Sequence, residues 1–151
     1  MMTDAHKLSL SVQYASTAKE MPTRQQFRRW VKIALERDVQ MVLRIVDEIE
    51  GHALNLAYRG KDYSTNVLTF VYDDMPDCTL YGDVVICAPV VAREAKEHGK
   101  DLLAHYAHLT LHATLHLQGY DHQKQREAGR MEARETALLL KLRYPAPYLV
   151  S

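Results

Sequence analysis

Leu111-His-Ala-Thr-Leu-His-Leu-Gln-Gly-Tyr-Asp-His122 is the stretch on which the reading of this chain turns. His112 and His116 stand four residues apart in an apolar run, so on a helix both rings project from one face, a turn apart. Gly119 sits where a helix ending in a left-handed turn favours glycine, and the reversed chain can bring His122 back toward the first two rings. Leu102, Leu103, Leu109, Leu111, Leu115 and Leu117 surround the histidines, and Asp101 stands where an N-cap is expected. The spacing therefore predicts a central apolar helix with three imidazoles converging near its C-terminal end.

Three neutral imidazoles suit Zn²⁺ at about 2.0–2.1 Å, and three protein ligands keep a fourth position open for chemistry. The spacing H-x3-H-x2-G-x2-H is also that of metzincin proteases, which place a glutamate base directly after the first histidine. Here that position is Ala113, which argues for a different substrate or a different base. A lone buried histidine is commonly a hydrogen-bonded core residue, but three at this spacing with a placed glycine point to a metal. His105 and His108 share the helical stripe but lie too far up the helix for the same ion, so they are expected to orient ligands or pack.

Working outward, Leu8, Leu10, Val12 and Tyr14 alternate with Ser9, Ser11 and Gln13, the signature of a half-buried strand. Pro22 and Thr23 introduce a helix, with Thr23 and Gln26 in capping-box spacing and Phe27, Trp30, Val31, Ala34 and Leu35 inward. A strand is expected over Val39 to Val46. A helix opened by Asp47 and Glu50 follows, turning Ile49, Ala53, Leu56 and Ala57 inward and stopping at Gly60. Strands are expected over Val67 to Tyr72 and Gly82 to Cys87, with a polar loop over residues 73–77. A helix from Pro89 to Gly99, the histidine helix, and a last amphipathic helix over Gln125 to Leu142 complete the order. The fold class is α+β: about four strands in one small mixed sheet, flanked by about five helices.

The 151 residues suffice for one domain, expected to span 1–151, with a proper core. Nineteen basic and nineteen acidic side chains leave a formal net charge of zero, so any anionic partner must be held locally. Basic residues outnumber acidic ones from Lys19 to Lys61, and the balance reverses from Asp62 to Asp101. Cys78 and Cys87 form neither a CxxC pair nor a disulfide framework, which fits reduced thiols in a cytosol. No signal-peptide pattern or membrane-length apolar run is present, and a cytoplasmic protein with no membrane partner is expected.

With Arg59-Gly-Lys-Asp, Thr65-Asn-Val-Leu-Thr-Phe70, Gly82-Asp-Val-Val-Ile86 and the histidine stretch in this order, the chain resembles the YbeY family of bacterial rRNA maturation factors over nearly its whole length. The resemblance implies a metal-dependent, single-strand-specific endoribonuclease acting in ribosomal RNA maturation, at the small-subunit 3′ end, and in ribosome quality control. It implies a small mixed sheet flanked by helices, His112, His116 and His122 as ligands of one Zn²⁺, and Arg59 as the arginine acting in cleavage beside His112. The implied partners are single-stranded and precursor ribosomal RNA, with ribosomal proteins or a ribosome-associated GTPase. Ala113, Thr69 and Val71 depart from the family's usual glycine, serine and proline.

The residue chemistry agrees with that reading. A phosphodiester transition state gathers negative charge that a divalent ion and a planar guanidinium both stabilise. From the residues alone, Arg59 is as readily a basic residue favoured near a helix C-terminus by the macrodipole. Lys61 reads as solvated, Tyr120 as packing and Asp121 as a turn residue. Asp83 can hold a ligand imidazole or sit in a turn. Two other functions fit the same residues: a metallohydrolase acting on peptide or small-molecule bonds, and a non-catalytic ribosome assembly factor with structural zinc.

Overall fold

Residues 39–46 carry apolar side chains on both faces, and they form the strand on which the sheet is built. A computed structural model of the chain describes residues 6–72, 78–120 and 125–147. Its elements are β1 (Leu8–Ala15), α1 (Arg24–Ile33), β2 (Val39–Val46), α2 (Glu48–Arg59), β3 (Val67–Val71), β4 (Leu80–Cys87), α3 (Ala88–Glu97), α4 (Leu102–Leu117) and α5 (Gln125–Lys141). The expected α+β architecture is present: one mixed four-stranded sheet in the order β1-β2-β4-β3, with five helices among the described residues. The loop expected over residues 73–77 lies outside the described residues.

β1 pairs parallel with β2 in the register Val12 to Leu43, and β2 pairs parallel with β4 in the register Leu43 to Val84. A parallel pair needs a crossover connection, and α1 supplies the first. β3 runs antiparallel to β4, with Thr69 opposite Val84, and takes one edge of the sheet. β4 begins two residues before the expected Gly82, because Leu80 and Tyr81 already pair with Val39 and Gln40.

Alternation along the strands divides the core between two faces. Met41, Leu43, Ile45, Val84 and Ile86 point into the main cluster, with Phe27, Trp30 and Val31 of α1, Leu111 and Leu115 of α4, and Met131, Leu138 and Leu139 of α5. Val46, Val85 and Cys87 point into a smaller cluster, with Leu68, Val90 and the half-buried Leu54. α1 begins with the expected capping box: Gln26 N–H donates to Thr23 Oγ1 at 3.1 Å, and Thr23 N–H donates to Gln26 Oε1 at 2.9 Å.

α4 is buried on most of its circumference, as befits a central helix. Its buried hydroxyls are satisfied within the helix: Thr110 donates to Tyr106 O and Thr114 to Thr110 O, both at 2.8 Å. Asp101 caps it, accepting from Ala104 N–H at 3.1 Å. At the other end, Gln118 donates from Nε2 to Ala34 O at 2.8 Å and accepts at Oε1 from Glu36 N–H at 2.6 Å. That clamp ties the end of the histidine helix to the end of α1.

α2 departs from expectation in its orientation. Ile49 is 89% exposed and Leu56 48% exposed, and Ala53 and Ala57 are also exposed. Gly51 and Asn55 face the protein instead. A Cβ at Gly51 would lie 3.2 Å from Cys87 Sγ and 3.6 Å from Val46 Cγ2, so the missing side chain lets the helix settle close onto the sheet. Asp47 occupies the N-cap position without capping. Its carboxylate accepts instead from Ser16 Oγ and, at 3.0 Å each, from Thr17 N–H and Thr17 Oγ1, and these bonds hold it below the usual carboxylate range.

Candidate functional site

The loop after α2 is built from its glycine. Gly60 lies in the left-handed region at φ 69°, where a side chain would be strained, and it closes α2 with Gly60 N–H on Leu56 O at 3.1 Å and Lys61 N–H on Asn55 O at 3.3 Å. Asn55, fully buried, donates from Nδ2 to Tyr63 O at 2.7 Å, and Ser64 Oγ donates to Glu48 O at 3.0 Å. These bonds fold the segment after Arg59 back along its own helix and fix where Arg59 leaves it. Asn66 then donates from Nδ2 to both Glu94 oxygens, at 3.0 and 3.3 Å, which fastens the start of β3 to α3.

β3 brings Thr65–Thr69 alongside α4, and a cleft of about 480 Å³ opens there, lined by Arg59, Thr65, Asn66, Thr69, His112 and His116 among others. Arg59 is exposed, and the two histidines are half-buried. Arg59, His112 and His116 are thus brought together from two helices far apart in sequence. His122 and Asp121 lie outside the described residues. Among the described residues no group of three metal-ligating side chains is assembled. Gly119 takes a positive φ of 109° just beyond the helix end, as the turn expected there requires.

The histidine helix carries a second arrangement. Glu135 of α5, fully buried, reaches two of its rings: Oε2 is 2.8 Å from His112 Nδ1, and Oε1 is 2.6 Å from His108 Nε2. His105, one turn higher, is 2.9 Å from Glu94 through its Nε2, and burial pushes its pKa down against the opposing pull of Glu94. His105 and His108 are therefore hydrogen-bonded helix residues off the cleft wall. Sequence reasoning missed Glu135, although Met131, Glu135, Leu138 and Leu142 share one helical stripe. A charged residue on an otherwise apolar stripe was the available signal.

Among the described residues His112 and His116 bring two imidazoles to the cleft, donors of the kind a divalent ion takes. With His112 Nδ1 on Glu135, the tautomer that donates to the carboxylate offers the Nε2 lone pair to a metal. Ala113 is fully buried, so a glutamate base placed as in metzincins would have to enter the core. Asp83 accepts from Tyr72 Oη beside the sheet. Tyr120 packs on the main cluster and donates to Glu36 Oε2 at 2.9 Å. Lys61 is exposed, and Cys78 and Cys87 are free thiols. Among the described residues, no helix is long and apolar enough to cross a membrane.

The proteins similar to this chain are endoribonucleases, enzymes that cut phosphodiester bonds within RNA. The family model described as "Endoribonuclease YbeY" matches residues 11–143. The chain is 57% identical over 144 residues to Endoribonuclease YbeY of Thiobacillus denitrificans, covering 95% of this chain and 98% of that one. It is 54% identical over 144 residues to the Nitrosomonas europaea protein of the same name, covering 95% and 87%. This chain belongs to the YbeY family. The solution structure of a Thermotoga maritima protein, at 23% identity, shares the fold with a TM-score of 0.56 over 87% of this chain and 91% of that one.

Proposed function

We propose that this chain is a zinc-dependent, single-strand-specific endoribonuclease of ribosomal RNA maturation. In this reading a single domain over residues 1–151 acts in the cytoplasm on small-subunit rRNA 3′ ends and in ribosome quality control. Ribosomal proteins or a ribosome-associated GTPase deliver the substrate. The observation that carries it is the shared cleft, in which Arg59 of α2 faces the same space as His112 and His116 of α4. His112, His116 and His122 would hold one zinc ion. When bound, that ion would supply Lewis-acid stabilisation of phosphoryl charge and acidify water.

The remaining work falls to the chain's own groups. The Arg59 guanidinium presents paired N–H donors to two non-bridging phosphate oxygens, and it strengthens that contact as charge builds in the transition state. Its place at an exposed helix end lets a flexible strand reach it. Thr65 and Thr69 line the cleft, and threonine hydroxyls can bond sugar and phosphate oxygens there. A volume of about 480 Å³ accommodates an unstacked nucleotide, whereas duplex RNA keeps its bases stacked and paired.

Incubation with a single-stranded RNA and its duplex form, with and without a chelator, tests the reading. Cleavage of the single strand alone, abolished by the chelator, is expected. Equal cleavage of both forms, or none by zinc-loaded protein, would contradict it.

A further inference from the structure

We propose that Glu135 is a positioning residue that fixes His112 as the Nδ1–H tautomer and aims its Nε2 lone pair into the cleft. The inference rests on reading His112 as a metal ligand and adds the residue that orients it. The carboxylate is fully buried, and each oxygen meets one ring: His112 Nδ1 at 2.8 Å and His108 Nε2 at 2.6 Å. A carboxylate engaged at both oxygens cannot turn about its last torsion, so His108 locks the group that locks His112. Packing alone does not ask for an acid here, because Met131, Leu138 and Leu139 of the same helix all lie in the apolar core and a leucine would continue their stripe. A hydrogen bond to the second ring nitrogen sets the tautomer and orientation of a metal-bound histidine and raises its basicity.

Glutamine at this position keeps the shape but not the function. Its amide can accept from one imidazole and must donate to the other, so the two rings can no longer both be N–H donors.

The experiment has two readouts. In metal-free wild type at mildly alkaline pH, nitrogen–proton correlation spectra of the imidazoles are expected to show His112 protonated at Nδ1 and bare at Nε2. Zinc titration against a chromophoric chelator is expected to show Glu135→Gln binding about ten- to hundredfold more weakly than wild type, with an unchanged circular dichroism spectrum. An Nε2–H tautomer in wild type, or a folded Glu135→Gln variant that binds zinc as tightly as wild type, would overturn the proposal. Should the variant not fold, the wild-type tautomer decides. A wild type that takes up no zinc would overturn the metalloenzyme reading, while the tautomer, read without metal, still decides the role of Glu135.

Discussion

Arg59, at the last turn of α2, and His112, near the middle of α4, line a single cleft, with residues 65–69 forming the wall beside them. The pairing joins a cation at an exposed helix end to an imidazole seated on a buried core helix. Arg59 can therefore be changed without disturbing the core. Arg59→Ala is expected to lower the cleavage rate about 10²- to 10³-fold, with zinc affinity and unfolding midpoint unchanged. Arg59→Lys should recover only part of the rate, since an ammonium lacks the planar fork. Single-turnover RNA cleavage beside a zinc titration checks both; full activity in Arg59→Ala would remove the guanidinium from the mechanism.

A ligand that binds only the folded chain stabilises it. At a free zinc concentration one hundred times its Kd, the expected gain is about 2.7 kcal/mol, or several degrees in Tm for a chain of this size. Chelation should reverse the gain in wild type, and the Tm of His116→Ala should respond to neither zinc nor chelator. Differential scanning fluorimetry reads this directly. An equal zinc response in both proteins would place the ion elsewhere.

His105 makes stability depend on pH in a stated direction. Burial lowers its pKa below the ordinary 6.5, while the hydrogen bond and charge of Glu94 pull the other way and Lys100 and His108 add smaller lowering effects. The unfolded chain takes up the proton first as pH falls, so the contribution is fully present above 6.5 and is lost as pH drops from 6.5 toward the depressed folded value. Urea midpoints of metal-free protein should fall across that window in wild type and fall less steeply in His105→Gln. Identical slopes would contradict the assignment.

Gly82 of β4 lies against the end of the histidine helix. A Cβ there would stand 2.8 Å from Leu117 Cδ2 and 3.0 Å from the Phe70 carbonyl oxygen. The leucine tip must shift for a methyl to fit, and the strand carbonyl opposite, held in the ladder, leaves the methyl no other way to turn. Gly82→Ala is expected to destabilise by about 1–3 kcal/mol, and combining it with Leu117→Ala should give less than the sum of the two losses. Strict additivity in urea unfolding would show that the contact is not limiting.

Much of this architecture was legible because local chemistry and global packing agree. Thr23 and Gln26, Asp101 before a leucine-rich run, and the doubly apolar residues 39–46 each specify one structure at short range. Orientation of α2 was not legible. Ile49 and Leu56 suggested an apolar inner face, yet the helix approaches the sheet through Gly51 and the buried Asn55, whose value lies in close approach and in a hydrogen bond to Tyr63 O. Hydrophobicity does not register either advantage. At the site, the spacing of His112 and His116 was readable from helical geometry, and so was the positive φ after the helix. The hydrogen bond from α4 to Glu135 was not, because a contact between separate helices depends on how α5 docks, which no local pattern encodes.

Whether His112, His116 and His122 hold one zinc ion at the cleft bordered by Arg59 is read from X-ray absorption at the zinc edge on the loaded protein. Three imidazole nitrogens at about 2.0–2.1 Å and no sulfur are expected, with one imidazole lost in His122→Ala. A sulfur shell, or a spectrum unchanged by replacing any of the three histidines, would contradict it.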